Sequence, residues 1–236
     1  MASDERKARV QTQRASWMRW AEYVVAFSDV ADADLGIMTL PEIENKTGFD
    51  EAQTRQLHGM KWIYNNRKDL VSKKWFFFVD DDTWVNVPSL LDYISWFPEA
   101  LPLSFSHIYL RHDRAVYNGG AGMLFSKEAF RRIAVSMFTD ICPLTDVPPA
   151  PMNNDNILAA CAYSNGVLKV SSSKFGSYGG TEFIQPINDA GWLDQITMHK
   201  VTDQLLAETM WCWSERLHGR PIAEPCQAMA TAENWD

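Results

Sequence analysis

Trp75-Phe76-Phe77-Phe78-Val79-Asp80-Asp81-Asp82-Thr83-Trp84-Val85 decides the fold, because five consecutive apolar residues run straight into three carboxylates. The run reads as a buried strand and the aspartates as the point where it emerges. Three adjacent carboxylates repel one another, and burying even part of the cluster is costly unless a cation or hydrogen-bond donors compensate. A divalent metal is the natural compensator. In open α/β sheets ligands bind beyond the carboxyl ends of the strands, which is where these carboxylates fall. A solvated acidic turn is the alternative, and the apolar run in front of the cluster argues against it. An EF-hand is excluded, since the loop lacks the Gly and terminal Glu at the required offsets.

Outward from this stretch, strand and helix patterns alternate. Upstream, Tyr23-Val24-Val25-Ala26-Phe27 reads as a buried strand ended by Ser28-Asp29, followed by a loosely structured stretch. Between Phe49 and Leu70, Leu57, Met60, Ile63 and Tyr64 recur at helical spacing. Downstream, Pro88 suits the first turn of a helix whose apolar face is Leu90, Leu91, Ile94 and Phe97, and Pro98 and Pro102 end it. Asn118-Gly119-Gly120-Ala121-Gly122 leads into Met123-Leu124-Phe125, and Ser126 caps a helix carrying Phe130, Ile133 and Met137. Asn153-Asn154-Asp155 opens a further helix after a Pro-rich loop from Cys142 to Pro151. Val167 to Val170 reads as a strand, a second Gly-rich loop runs from Gly176 to Gly180, and Leu205 to Leu217 closes with an amphipathic helix. The alternation predicts an α/β layered domain.

Composition bounds the function. The chain has 236 residues, 46% hydrophobic and 22% charged, enough for one sizeable core. Its net charge of −8 gives no footprint for a nucleic-acid backbone, so nucleic acid is not an expected partner. No apolar segment approaches the roughly 20 residues needed to span a bilayer, and Met1 to Arg14 is charged, unlike a signal peptide. Cys142, Cys161, Cys212 and Cys226 fit no CxxC metal site and read equally as two bridges or four buried thiols.

Other residues offer chemistry only in company. Asp155, near a helix start, is commonly a first-turn charge; a helix N-terminus also favours the ionised carboxylate, which leaves a base able to accept a proton. His199 follows the β-like Gln195 to Met198, and carboxylates with one imidazole suit Mn²⁺. Gly119 and Gly120 lack the spacing of either familiar phosphate loop, but their missing side chains let a ligand approach the backbone. No Gly-x-Ser-x-Gly elbow or local Cys motif points to a covalent nucleophile.

Taken in order, the segment Trp75 to Val85, then Tyr117-Asn118-Gly119-Gly120-Ala121-Gly122-Met123, then Ser126-Lys127-Glu128-Ala129, then Asn154-Asp155, resembles the Fringe and core 1 galactosyltransferase family of β1,3-glycosyltransferases. The resemblance runs from about Trp17 to about Thr202. It implies a GT-A type fold, a Rossmann-like mixed sheet flanked by helices, forming a single catalytic domain over residues 1–220. It implies an inverting transfer from a UDP-sugar to a glycan or glycoprotein acceptor, forming a β1,3 linkage. Asp80, Asp81, Gly119 and Gly120 then belong to the donor site; Asp80, Asp82 and His199 hold Mn²⁺, with Asp82 the direct ligand; and Asp155 is the general base. A Cys142–Cys161 disulfide and a Golgi or ER lumen are implied as well.

The chain also departs from the family pattern. Asn154 stands where the family usually has an acidic residue before the base. No first nucleotide-binding strand is recognisable before the early helix, and the membrane anchor and stem are missing from this sequence. Residues 221–236 are expected to form a partly disordered tail. These departures keep open a reading from another class, a non-catalytic chaperone or glycan-binding module on the same scaffold.

Overall fold

The computed structural model describes residues 4–45, 54–111, 114–142, 154–176, 195–220 and 226. Its centre is a four-stranded sheet of β3 (Trp75–Phe78), β8 (Met123–Ser126), β5 (Leu103–Ser106) and β9 (Leu168–Ser171), in that order. β8 is antiparallel to both its neighbours, and β5 and β9 are parallel. The remaining strands are a parallel pair β1 (Ala26–Phe27) and β2 (Ile37–Met38), a hairpin β6 (Ile108–Arg111) and β7 (Arg114–Tyr117), and a three-stranded sheet. In that last sheet β11 (Thr197–Met198) lies between β10 (Phe175–Gly176) and β4 (Trp84–Val85).

Strand pleating explains the Trp-Phe-Phe-Phe run. Successive side chains point to opposite faces, and both faces of β3 are covered. Phe76 joins a core with Phe125 of β8 and with Leu57, Met60, Leu70, Phe130, Ile133 and Ile157 of the helices α2 (Arg55–Asn66), α3 (Lys68–Val71), α5 (Lys127–Ser136) and α6 (Asn154–Ser164). Trp75 and Phe77 pack against the opposite core of Trp84, Leu90, Phe105, Leu124, Phe175 and Met210. Phe76 stacks on Phe130 with ring centroids 3.8 Å apart, tying β3 to α5. The continuous apolar run is thus the signature of a sheet buried on both sides. The expected mixed α/β fold of the GT-A type, sheets flanked by helices, is what the chain forms.

Several predicted elements form where expected. Ser126 Oγ accepts the Ala129 N–H at the start of α5, and the α4 helix (Val87–Ile94) has Pro88 in its first turn. The last predicted helix is α7 (Gln204–Leu217). Others need correction. The Tyr23–Phe27 strand contracts to Ala26–Phe27; Tyr23 and Val24 are exposed, and Tyr23 lies beneath Lys73. Leu91 is exposed, because the buried stripe of α4 is Val87, Leu90 and Ile94, and Phe97 lies beyond the helix yet still packs on Phe105, with ring centroids 4.7 Å apart. The charged first residues form a helix, α1 (Asp4–Ala15), packed against α7. Within the stretch expected to be loose lies β2. The loop 143–153 and most of 176–180 lie outside the described residues, as does the tail except Cys226.

Both cysteine pairs are bridged. Cys142–Cys161 joins the residues after α5 to α6, with Cα atoms 4.9 Å apart, and Cys212–Cys226 ties buried Cys226 to α7, so this point of the tail is anchored. Cys142 and Cys161 are 19 residues apart. Replacing both by serine is expected to cost about 3 kcal/mol through the freedom returned to the unfolded chain, measurable by urea denaturation.

Candidate active site

The acidic turn sits where the two sheets meet. β3 ends at Phe78, the chain turns through Asp80-Asp81-Asp82, and β4 begins at Trp84. The turn is held from within by Thr83, whose buried hydroxyl donates to the Gly120 carbonyl at 3.0 Å. Antiparallel pairing of β11 with β4 sets Met198 opposite Trp84, and Val201 N–H donates to the Asp82 carbonyl. This register delivers His199 to the aspartates: His199 Nε2 is 3.4 Å from Asp82 Oδ1. Asp80, Asp82 and His199 each present a ligand atom, all within 4.8 Å of one another.

The charge state of the trio follows from its surroundings. Desolvation first, then the neighbouring Asp82 charge, pushes the Asp80 carboxyl up to about 6. Burial likewise raises Asp81, with Asp82 adding repulsion and Arg9 opposing. Burial also works against ionised Asp82, but the His199 imidazole beside it, with Arg9, outweighs it and holds this carboxyl below its ordinary range. Asp82 is therefore the most acidic carboxyl of the three. Its Oδ1 is buried and accepts no hydrogen bond. Two carboxylates and an imidazole converging on such an oxygen form a donor set that fits a divalent cation of the Mn²⁺ type.

The glycine turn forms the opposite wall. Asn118 caps it, accepting the Ala121 N–H. A Cβ on Gly120 would lie 2.3 Å from His199 Cε1, so only glycine lets the imidazole rest on this backbone. Gly119 N–H donates to Asp155 Oδ2 at 3.3 Å, and Asn156 N–H donates to Oδ1 at 2.8 Å. Burial nevertheless dominates and raises the Asp155 carboxyl above its ordinary value, the reverse of what the helix start alone implies.

All seven residues singled out in the sequence therefore line one region. Asp81 Oδ1 is 3.5 Å from Arg9 Nη1, and the same nitrogen is 3.7 Å from Asp82 Oδ2. Arg9 escaped notice because it sits in a charged segment with no strand or apolar periodicity. Gln56 was missed too: its Nε2 donates to Asp80 Oδ1 at 3.1 Å while its Oε1 accepts from Asn154 Nδ2. No local motif marks a single glutamine on an amphipathic helix.

The mixed α/β fold, with an acidic strand end, a facing histidine and a carboxylate at a helix start, has the architecture of the GT-A type. The Fringe-like family model matches residues 4–204, and the chain belongs to that family. It is 28% identical over 131 residues to a glycoprotein-N-acetylgalactosamine 3-beta-galactosyltransferase 1 of Xenopus laevis, covering 55% of this chain and 35% of that protein. It is 27% identical over 171 residues to a beta-1,3-glucosyltransferase of Mus musculus, covering 71% of this chain and 32% of that protein. The chain thus spans about a third of the length of these curated relatives.

Proposed function

We propose that this chain is an inverting, metal-dependent glycosyltransferase that moves a hexose from a UDP-sugar to a hydroxyl of a glycan or glycoprotein, forming a β1,3 linkage. The observation that carries the reading is the convergence of Asp80, Asp82 and His199, with an unbonded buried oxygen on Asp82, beside a glycine turn that also orients Asp155. Asp80, Asp82 and His199 hold Mn²⁺, and Asp80, Asp81, Gly119 and Gly120 line the donor site. Bound there, the cation supplies electrostatic stabilisation to a departing diphosphate.

Asp155 takes the proton. Each of its oxygens accepts one backbone hydrogen bond and retains a second lone pair. That fixes the carboxylate plane while leaving it able to accept from an acceptor hydroxyl attacking the anomeric carbon. Burial raises its basicity, which favours a base over a merely solvated charge. Attack and departure on opposite sides of one carbon give inversion. Two disulfides suit an oxidising secretory lumen, Golgi or ER, as the place of action. Among the described residues no helix is long and apolar enough to cross a membrane.

The direct test is hydrolysis or transfer across a panel of UDP-sugars with Mn²⁺ and glycan acceptors, beside calorimetry with UDP. Metal-dependent UDP binding is expected, and its absence would favour the non-catalytic chaperone or glycan-binding alternative. Gly120→Ala supplies a sharper prediction. The new methyl displaces the His199 ring, so Mn²⁺ affinity is expected to fall about tenfold or more while the far-ultraviolet circular dichroism stays unchanged.

A further inference from the structure

The two halves of the site are joined by a hydrogen-bonded path with one polarity. Asp155 N–H donates to Asn154 Oδ1 at 2.8 Å, Asn154 Nδ2 donates to Gln56 Oε1, and Gln56 Nε2 donates to Asp80 Oδ1 at 3.1 Å. The direction is dictated from one end. A backbone N–H only donates, so Asn154 turns its Oδ1 to Asp155 and its NH₂ group to the Gln56 carbonyl oxygen, which leaves the Gln56 NH₂ group for Asp80. Position 154 must then donate. An ionised aspartate or glutamate there would set an acceptor against an acceptor, whereas an asparagine donates to Gln56 and still accepts from the backbone of Asp155. The departure at Asn154 is therefore explained by Gln56.

The path rests on firm supports. Asn154 is buried at the start of α6, and Gln56 is the second residue of α2. Both helices are seated in one core, where Leu57 and Met60 of α2 share the cluster with Ile157 and Leu158 of α6. Gln56 thus spans two rigid elements, one presenting Asp155 and the other lying against the aspartate turn.

We propose that Gln56 is a positioning residue that, through Asn154, holds Asp80 of the metal seat and the Asp155 base in a fixed relation, so that a change at one end is felt at the other. The inference rests on the metal-dependent reading above and deepens it.

A double-mutant cycle read by Mn²⁺ affinity, without nucleotide or acceptor, tests it. Gln56→Met keeps length and removes both hydrogen bonds; Asn154→Leu keeps shape and removes the donor. Each single change is expected to weaken Mn²⁺ binding about threefold to tenfold, although residue 154 is not a ligand. With Met at 56, Asn154→Leu should change Mn²⁺ affinity no further, because the path is already cut. Gln56→Asn, an amide one methylene too short, should behave as Gln56→Met and serves if the latter does not fold. Losses that multiply in the double variant, or an unchanged affinity in Asn154→Leu, would overturn the coupling while leaving the metal site standing. Failure of the unaltered protein to bind Mn²⁺ through Asp82 would instead overturn the metal reading and this inference with it.

Discussion

Asp155→Asn is expected to lower sugar transfer by about 10³-fold, the scale of a lost general base, while Mn²⁺ and UDP affinity stay within about twofold. The split follows from the geometry: the path through Asn154 and Gln56 to Asp80 begins at the backbone N–H of residue 155, which the substitution keeps. Asp155 contacts the glycine turn and the start of α6 and is no member of the Asp80, Asp82 and His199 group. The substitution is not perfectly silent for folding, because Asp155 accepts from two backbone N–H groups on different oxygens. An asparagine has one oxygen, so one of these donors must face the amide NH₂. A stability loss of about 1–2 kcal/mol is expected for that mismatch, and refolded protein with normal Mn²⁺ binding separates it from the chemical defect.

The pH profile adds a second readout. Burial raises the Asp155 carboxyl above the ordinary carboxylate range, so transfer should fall on the acid side through that raised value, as the base becomes protonated. The stability sign is opposite. A carboxyl whose folded pKa is raised contributes stability that is present below its unfolded pKa and lost as pH rises through its folded one. An unchanged transfer rate in Asp155→Asn would remove Asp155 from the role of base.

How much of this was legible in the sequence depended on how locally each feature is encoded. The β3 run and the three aspartates are contiguous, so burial on both faces and the abrupt change to charge could be read directly from Trp75 to Asp82. Ser126 capping α5 is equally local. By contrast, β5, β6 and β7 were missed. Buried Ser104 and Ser106 alternate with Leu103 and Phe105, their hydroxyls bonded to the Tyr117 hydroxyl and to the Gly122 carbonyl, so polarity there does not signal exposure. The helix start at Asp155 gave the wrong sign for its basicity, since desolvation is a tertiary property. Gln56 and Arg9 carried no signal because each matters through a partner far along the chain. His199 was legible as a metal-binding candidate chiefly through the family resemblance, and it is the pairing of β11 with β4 that sets it against Asp82.

Asp82→Asn is expected to weaken Mn²⁺ binding by at least about a hundredfold, from the loss of one anionic ligand of three. Of the three aspartates, Asp82 is the one whose carboxyl is held below its ordinary range, and its Oδ1 faces His199 without a hydrogen bond, so its charge is available to a cation at little cost in displaced contacts. Thermal denaturation makes the effect visible without any substrate. At Mn²⁺ concentrations a hundred times its dissociation constant, binding to the folded state adds about 2.7 kcal/mol, which in a chain of this length raises Tm by about 5–10 °C. That rise should disappear in Asp82→Asn and on chelation. Asp80 makes the rise depend on pH. Its carboxyl, pushed up to about 6 by desolvation and by Asp82, contributes stability to the metal-free protein that is lost as pH climbs through that value. Mn²⁺ binds the ionised form, so its affinity should grow through the same interval. The Mn²⁺-dependent rise in Tm at fixed metal concentration is therefore expected to be small at pH 5 and large at pH 7.5; a rise independent of pH, or one retained by Asp82→Asn, would place the metal somewhere other than this turn.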